Sequence, residues 1–427
     1  MLETLQRETF HFFERRSNLD NGLIADKTQP GSPASIAAVG LGLSAYVAGV
    51  ERGLMPRETA VARTLAALRF FARSVQSAAP DASGYKGFYY HFLDMETGRR
   101  AWSSELSTID TALLMAGVLT AGCYFRGARA EEEEIRDLAD TLYRRVDWAW
   151  ACTSSGTIGH GWTPEAGPLP YAWDRAYSEA LLLYVLALGS PTFPIPADGY
   201  RRWTSTFELK TAYGIEYIYA GPLFIHQLSH VWLDFRTIRD DQNCAVGFDY
   251  FENSRRATLV HREYGIANPH GFKHYSKNGW GLTASDGPGP HVRTVDGVRR
   301  TFFGYLARGA PFGPDDGTIS PWAVVASLPF APDVVCSAIH HAIERLGLKS
   351  SENAGFDASF NPTFPEKTGN PNGWVSPWKF GLNQGPIVLM IENHLSGRIW
   401  KLFQGSLYVV RGLRRAGFSG GWLDESA

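Results

Sequence analysis

Cysteine is scarce in this chain: four in 427 residues, at positions 123, 152, 244 and 336, with no CxxC pair. A disulfide framework or a cysteine-based zinc site is therefore not expected, and Cys123 and Cys336, set in apolar runs, read as buried free thiols. No run of eighteen apolar residues occurs, so no helix is expected to span a membrane. Charge of one sign is missing too. With 41 basic and 43 acidic residues the formal net charge is -2, which argues against nucleic acid or an anionic membrane as partner. GxGxxG and Walker strings are absent, which removes the commonest nucleotide-binding readings.

Aromatic side chains, by contrast, are plentiful at 13%, with 13 Trp. A large core absorbs some of them; others, in Gly/Pro-rich loops, suit the apolar C–H faces of sugar rings. The first residues, MLETLQRETFHFFERR, read as an amphipathic helix and not as a signal peptide. The expected compartment is the cytoplasm, or the periplasm if a leader has been removed.

Alternation organises the chain. Charged amphipathic helices are predicted at about 2–17, 57–76, 131–150, 241–265, 332–347 and 398–416. Between them lie apolar segments at about 34–50, 107–125, 175–189, 222–236, 319–328 and 382–395, each after a loop rich in Gly, Pro or Ser. A helix apolar on every side is buried on every side. Six outer and six inner helices in alternation describe an all-α (α/α)6 barrel, in one domain over 1–427. The inner helices would run parallel, and their N-termini, with partial positive charge, would gather at one end. Residues 203–220 alternate as a short β-hairpin, and the loop-rich stretch 268–318 is long enough to suggest a functional role at the cleft.

Two carboxylates open apolar inner segments. Glu179, in DRAYSEALLLYVLAL, is placed in the second turn of its helix. Partial burial would raise its pKa, as a general acid at neutral pH requires. The plain alternative is an ion pair with Arg175 four residues earlier. Asp110, in STIDTALLMAGVL, is a pocket candidate, although Ser107 and Asp110 also fit a capping box. Glu105 stands close enough to supply the carboxylate instead. Asp286, beside Gly287, is either a ligand contact or ordinary turn chemistry, and Asp316 before Gly317 poses the same choice.

His226 and His230 stand at i and i+4, but without the Glu of an HExxH motif; no metal and no cofactor are expected. These histidines and Gln227 are instead candidates to bond sugar hydroxyls or to pack. Trp173, Trp280 and Trp374, all in loops, are expected as sugar platforms, with Tyr177 and Gln384 completing the substrate-binding set. Glu392, late in its inner segment, is expected to be structural.

The segments NGWGLTASDGP, GPLFIHQLSHVWLDFR, AYSEALLLYVLALGSPTFPIP, PDDGTISPWAVVASLPF and NQGPIVLMIENHLSGRIWKLF resemble the glucoamylase-like domain that includes glycoside hydrolase family 144. The resemblance runs from about residue 2 to the C-terminus. It implies an (α/α)6 barrel and a bacterial enzyme that hydrolyses β-1,2-linked glucan or its oligosaccharides with inversion. The glucoamylase label by itself does not establish action on starch. The glutamate of the family's YSEA segment is Glu179, which the resemblance makes the leading general acid. Some members carry Glu where this chain has Asp110, and many carry His where it has Phe193. The same style of sequence resembles the transglycosylating middle region of cyclic β-1,2-glucan synthases. A retaining transglycosylase and a non-catalytic glucan-binding protein are therefore the rival expectations.

Overall fold

The apolar segments do form an inner ring. The computed structural model describes residues 1–349, 355–366 and 369–425. Its helices begin with α1 (Leu2–Arg15), α2 (Ile36–Glu51), α3 (Arg57–Arg73), α4 (Thr108–Tyr124), α5 (Ala130–Arg145), α6 (Leu181–Gly189) and α7 (Ala197–Thr204). They continue with α8 (Asp241–Val246), α9 (Tyr250–Ala267), α10 (Pro321–Ala326), α11 (Pro332–Glu344), α12 (Gly381–Leu395), α13 (Arg398–Gln404) and α14 (Leu407–Ala416). The ring is α2, α4, α6, the segment 223–231, α10 and α12, with α12 closing back on α2. The outer helices α1, α3, α5, α14, α9 and α11 pack around it, and α13 lies against α2, α4 and α12. This is the (α/α)6 barrel expected.

Small residues let the ring close. A Cβ on Gly40 would fall 2.2 Å from the Leu113 carbonyl oxygen, and one on Gly117 would fall 2.0 Å from that of Gly40. The α2 and α4 backbones therefore meet where only glycine fits. At the far end of the ring Glu392 accepts two hydrogen bonds from Arg52, at 2.7 and 3.2 Å, and one from Gln6 at 3.0 Å. It ties α1, α2 and α12 together, the structural role expected of it. One continuous core runs from Leu5 to Leu423, and among the described residues no helix is long and apolar enough to cross a membrane.

Three predicted helices are interrupted. The fourth inner segment is not an α-helix but two 3-10 turns, Leu223–His226 and Ser229–Val231. Its buried polar side chains hold carbonyls outside the segment: Gln227 donates to the Ala323 oxygen at 2.6 Å and Ser229 to that of Glu179 at 2.8 Å. Such bonds compete with a regular helix. The predicted 241–265 helix is cut at Gly247, which is left-handed at φ 83, and restarts with Asp249 capping α9. The predicted 398–416 helix breaks between α13 and α14 at Gly405. The expected hairpin exists as Leu209–Ala212 paired with Ile215–Ile218. The 268–318 stretch carries a second hairpin, His291–Val295 with Val298–Phe302, on a base made by Ala284–Ser285 and Leu306–Ala307.

Candidate active site

The N-terminal ends of the inner helices open on one cavity of about 560 Å³. Ser35, Asp110, Glu179, Trp322 and Asn383 line it, each at or just before the start of a ring helix, and Phe224 and Leu228 come from the 3-10 segment. Asp110, Glu179 and Asp286 thus face one space, as do Glu105 and Trp173.

Glu179 lies two residues before α6, not in its second turn. Ser229 anchors it by donating to the Glu179 carbonyl while accepting from the Leu182 N–H at 3.1 Å. Arg175 points away, its side chain 90% exposed and nearest Asp174. The ion pair that would have made Glu179 a structural carboxylate is therefore not formed. Glu179 lines the cavity and is half-buried there. Burial pushes its pKa up to about 7, with the charge of Asp110 adding to the rise.

Asp110 is a pocket residue, and Ser107 is the N-cap of its helix. Its N–H donates to Ser107 Oγ at 3.2 Å, and the Ser107 hydroxyl donates back to its carboxylate at 2.5 Å. Beside it stands His91, whose Nδ1 is 2.9 Å from Glu105 and whose Nε2 is 3.7 Å from Asp110. Burial alone would lower the His91 pKa; the charges of Asp110, Glu105 and Asp26 overcome it and lift it to about 9. Against the desolvation of its own burial, Glu105 is drawn down by the His91 bond. At neutral pH the imidazole is a cation between two acidic groups. The ligand atoms of these three residues lie within 4.8 Å of one another, the one metal-like grouping among the described residues. Both ring nitrogens face carboxylates, and with the imidazole protonated the three side chains form an ion network.

Asp26 and His91 escaped sequence reasoning because loops bring them in from well before α4. Burial lifts Asp26 to about 6, against the pull of Lys27 and His91. Asp286 is held by Ser376, which donates to its carboxylate at 3.0 Å. Trp173 stacks on His160 at 4.0 Å between ring centres and donates to Thr108 at 3.2 Å, so its ring plane is fixed at the cavity wall.

The other expected contacts lie outside the cavity. Trp280 is fully buried beneath α10 and α11, where its loop tucks in against Val324 and Ile339. Trp374 is half-buried in a short strand opposite Asn361. Tyr177 is buried and stacks on Tyr250 at 5.7 Å. His226 and His230 are fully buried, one bonding the Ala220 carbonyl and the other Ser254. Burial pushes them down to about 4 and about 3, so both are neutral. Gln227 bonds Ala323 and Ser327, and Gln384 bonds the Phe356 carbonyl. Asp316 accepts two hydrogen bonds from Arg308, at 2.6 and 2.9 Å, with neither side chain exposed. Their bonds run to protein groups, and Tyr177 Oη, Gln227 Oε1, His230 Nδ1, Trp280 Nε1 and Gln384 Oε1 are buried without a hydrogen-bond partner among the described residues.

The family model described as "Putative glucoamylase" matches residues 170–406, more than half of the chain. The chain belongs to this glucoamylase-like family. It is 28% identical to the exo β-1,2-glucooligosaccharide sophorohydrolase (non-reducing end) of Parabacteroides distasonis, over 97% of this chain. It spans only 57% of that relative's length. A Bacteroides uniformis protein of the family's own description has a crystal structure that superposes with a TM-score of 0.85 at 31% identity, covering 99% of this chain and 98% of that one. An endo-β-1,2-glucanase from Chitinophaga pinensis, solved with sophorotriose and glucose, superposes at 0.83 with 26% identity, covering 98% and 97%. Within the glucoamylase-like barrel, Glu179 falls inside the matched region, while Asp26, His91, Glu105 and Asp110 lie N-terminal to it.

Proposed function

We propose that this protein is a glycoside hydrolase that cleaves β-1,2-linked glucan or its oligosaccharides with inversion at the anomeric carbon. The observation that carries the reading is Glu179: a carboxyl lining the cavity whose burial holds its proton to about pH 7. A general acid needs that property, because it must arrive protonated and give its proton to the leaving oxygen. The relatives named for β-1,2-glucan supply the substrate class.

Inversion needs a second carboxylate across the cleft to activate water, with the two carboxyl groups about 6.5–9.5 Å apart. Asp110 opens the ring helix next to Glu179, whereas Asp26 and Asp286 come from ring positions two removed on either side. Asp110 is also occupied, accepting from Ser107 and facing His91. Its role is to bind substrate and, through its charge, to keep Glu179 protonated. Asp26, lifted to about 6, is ionised at neutral pH yet basic enough to accept a proton from water. We assign it the base role, with Asp286 as the alternative. The converging helix N-termini and the His91 cation offset the carboxylate charge gathered there.

Reducing-end release from linear β-1,2-glucan, run beside starch, laminarin and cellulose, tests the reading. New ends from β-1,2-glucan alone are expected. Redistribution of chain lengths without new ends would make the protein a transglycosylase, and tight binding without either a glucan-binding protein.

A further inference from the structure

Trp102 has no part in the roles assigned above, yet its surroundings are built around it. It is 63% exposed on the rim of the cavity. Its backbone is left-handed at φ 55, and Ser103 follows at φ 51. Two successive non-glycine residues in that region are strained and persist only where neighbours hold them. Arg100 does the holding. Its guanidinium donates to the carbonyls of Ser104 at 2.6 Å and Ser103 at 2.8 Å and to Glu165 at 2.6 Å, and lies 4.7 Å over the Tyr90 ring. The arginine side chain is only 3% exposed.

A buried arginine thus fixes a strained turn whose product is an indole facing water. Packing does not account for this, since Trp102 touches Phe92 at 5.0 Å between ring centres and keeps most of its surface open. Phe92 in turn stacks on His91 at 4.0 Å. The three rings form a path from the rim to the carboxylates, with Trp102 at its outer end.

The geometry points to Trp102 as a stacking platform for a glucosyl ring of the substrate chain at the mouth of the cleft, away from the ring being cleaved. The assignment rests on the glucan-hydrolase reading. A rigid, exposed aromatic face beside an acidic pocket suits the apolar C–H face of a pyranose, and it contributes little to a substrate too short to reach it. Interaction with a ring remote from the chemistry is uniform binding, so it acts on KM.

The test compares wild type, Trp102→Ala and Trp102→Phe on β-1,2-glucooligosaccharides of increasing length. For chains long enough to reach the rim, Trp102→Ala should raise KM about tenfold while kcat stays within about twofold. The shortest cleaved substrate should show much less loss, and Trp102→Phe should recover most of it. Equal loss at every length, loss confined to kcat, or no loss would each overturn the inference. A second readout uses 19F NMR of the Glu179→Gln protein labelled with 5-fluorotryptophan. The resonance missing from the added Trp102→Phe variant should move with long oligosaccharide, and a stationary resonance at saturation overturns the assignment. If wild type releases no ends from β-1,2-glucan, the functional reading fails and this inference with it. An active wild type with indifferent Trp102 variants sinks the inference alone.

Discussion

Glu179→Gln keeps the shape of the side chain and removes its proton, which separates two consequences of one burial. The first is catalytic. Losing a positioned general acid costs about 10²–10⁴-fold in rate, roughly 3–5 kcal/mol of barrier. Turnover of β-1,2-glucan should collapse by that factor while binding persists, and a nitrophenyl glycoside that fits the cleft should be spared much of the loss. The second is thermodynamic, with the opposite sign. In the unfolded chain the carboxyl releases its proton near 4.5, whereas in the folded protein it holds it to about 7. Between those values the folded state binds more protons than the unfolded one, so stability falls as pH rises through the window and stays low above it. The penalty is at most about 3 kcal/mol, reduced by whatever screening the cavity water supplies. Glu179→Gln removes it. The variant should be more stable than wild type in urea at about pH 8 and no more stable below about pH 4.5. Wild-type kcat/KM should fall as pH rises past about 7, where the acid loses its proton. A variant retaining more than about a tenth of wild-type activity, well short of the loss expected, would refute the assignment of the acid. A variant less stable than wild type at high pH would refute the buried-charge reasoning behind it.

Asp26→Asn should lose activity by about 10²–10⁴-fold with substrate still bound, and azide should restore part of it; activity within about threefold of wild type would move the base to Asp286. Removing one partner of the fully buried Arg308–Asp316 pair strands a charge, so Asp316→Ala should cost about 3–5 kcal/mol in denaturant unfolding. A cost below about 1 kcal/mol, the range of surface pairs, would contradict that placement. His226, His230 and His261 are held neutral by burial, at about 4, 3 and 3. Unfolded histidines titrate near 6.5, so these residues make stability fall as pH drops from about 6.5 towards 4. His261→Asn should flatten part of that slope, and an unchanged slope would argue against the burial.

Much of the ring was legible because an inner helix leaves a plain mark: apolar residues on every side between two charged, amphipathic neighbours. That mark fails where polar side chains are themselves buried. In the run holding His226, Gln227 and His230 the same residues that suggested a sugar site instead capture backbone and hydroxyl groups, and the helix they interrupt becomes 3-10 turns. The loop tryptophans show a second limit. Trp173, Trp280 and Trp374 look alike in sequence, but only Trp173 reaches the cavity, because whether a loop lies on the rim or folds beneath a helix is a tertiary fact. Glu179, Asp110 and Asp286 carried local marks, two at the opening of an apolar helix and one in a Gly-rich loop. Asp26, His91 and Trp102 carried none; their meaning comes from one another, across stretches of chain with no common motif. The left-handed turn at Trp102 and Ser103 is similarly invisible without a glycine to announce it.

The central claim meets its most direct test in the first minutes of reaction on linear β-1,2-glucan, followed by proton NMR of the newly formed reducing ends before they mutarotate. Inversion at a β-linked bond predicts that the α-anomer appears first and relaxes towards the equilibrium mixture. A β-anomer appearing first would place a nucleophile where we place a base, and a spectrum without new reducing ends would contradict glucan hydrolysis itself.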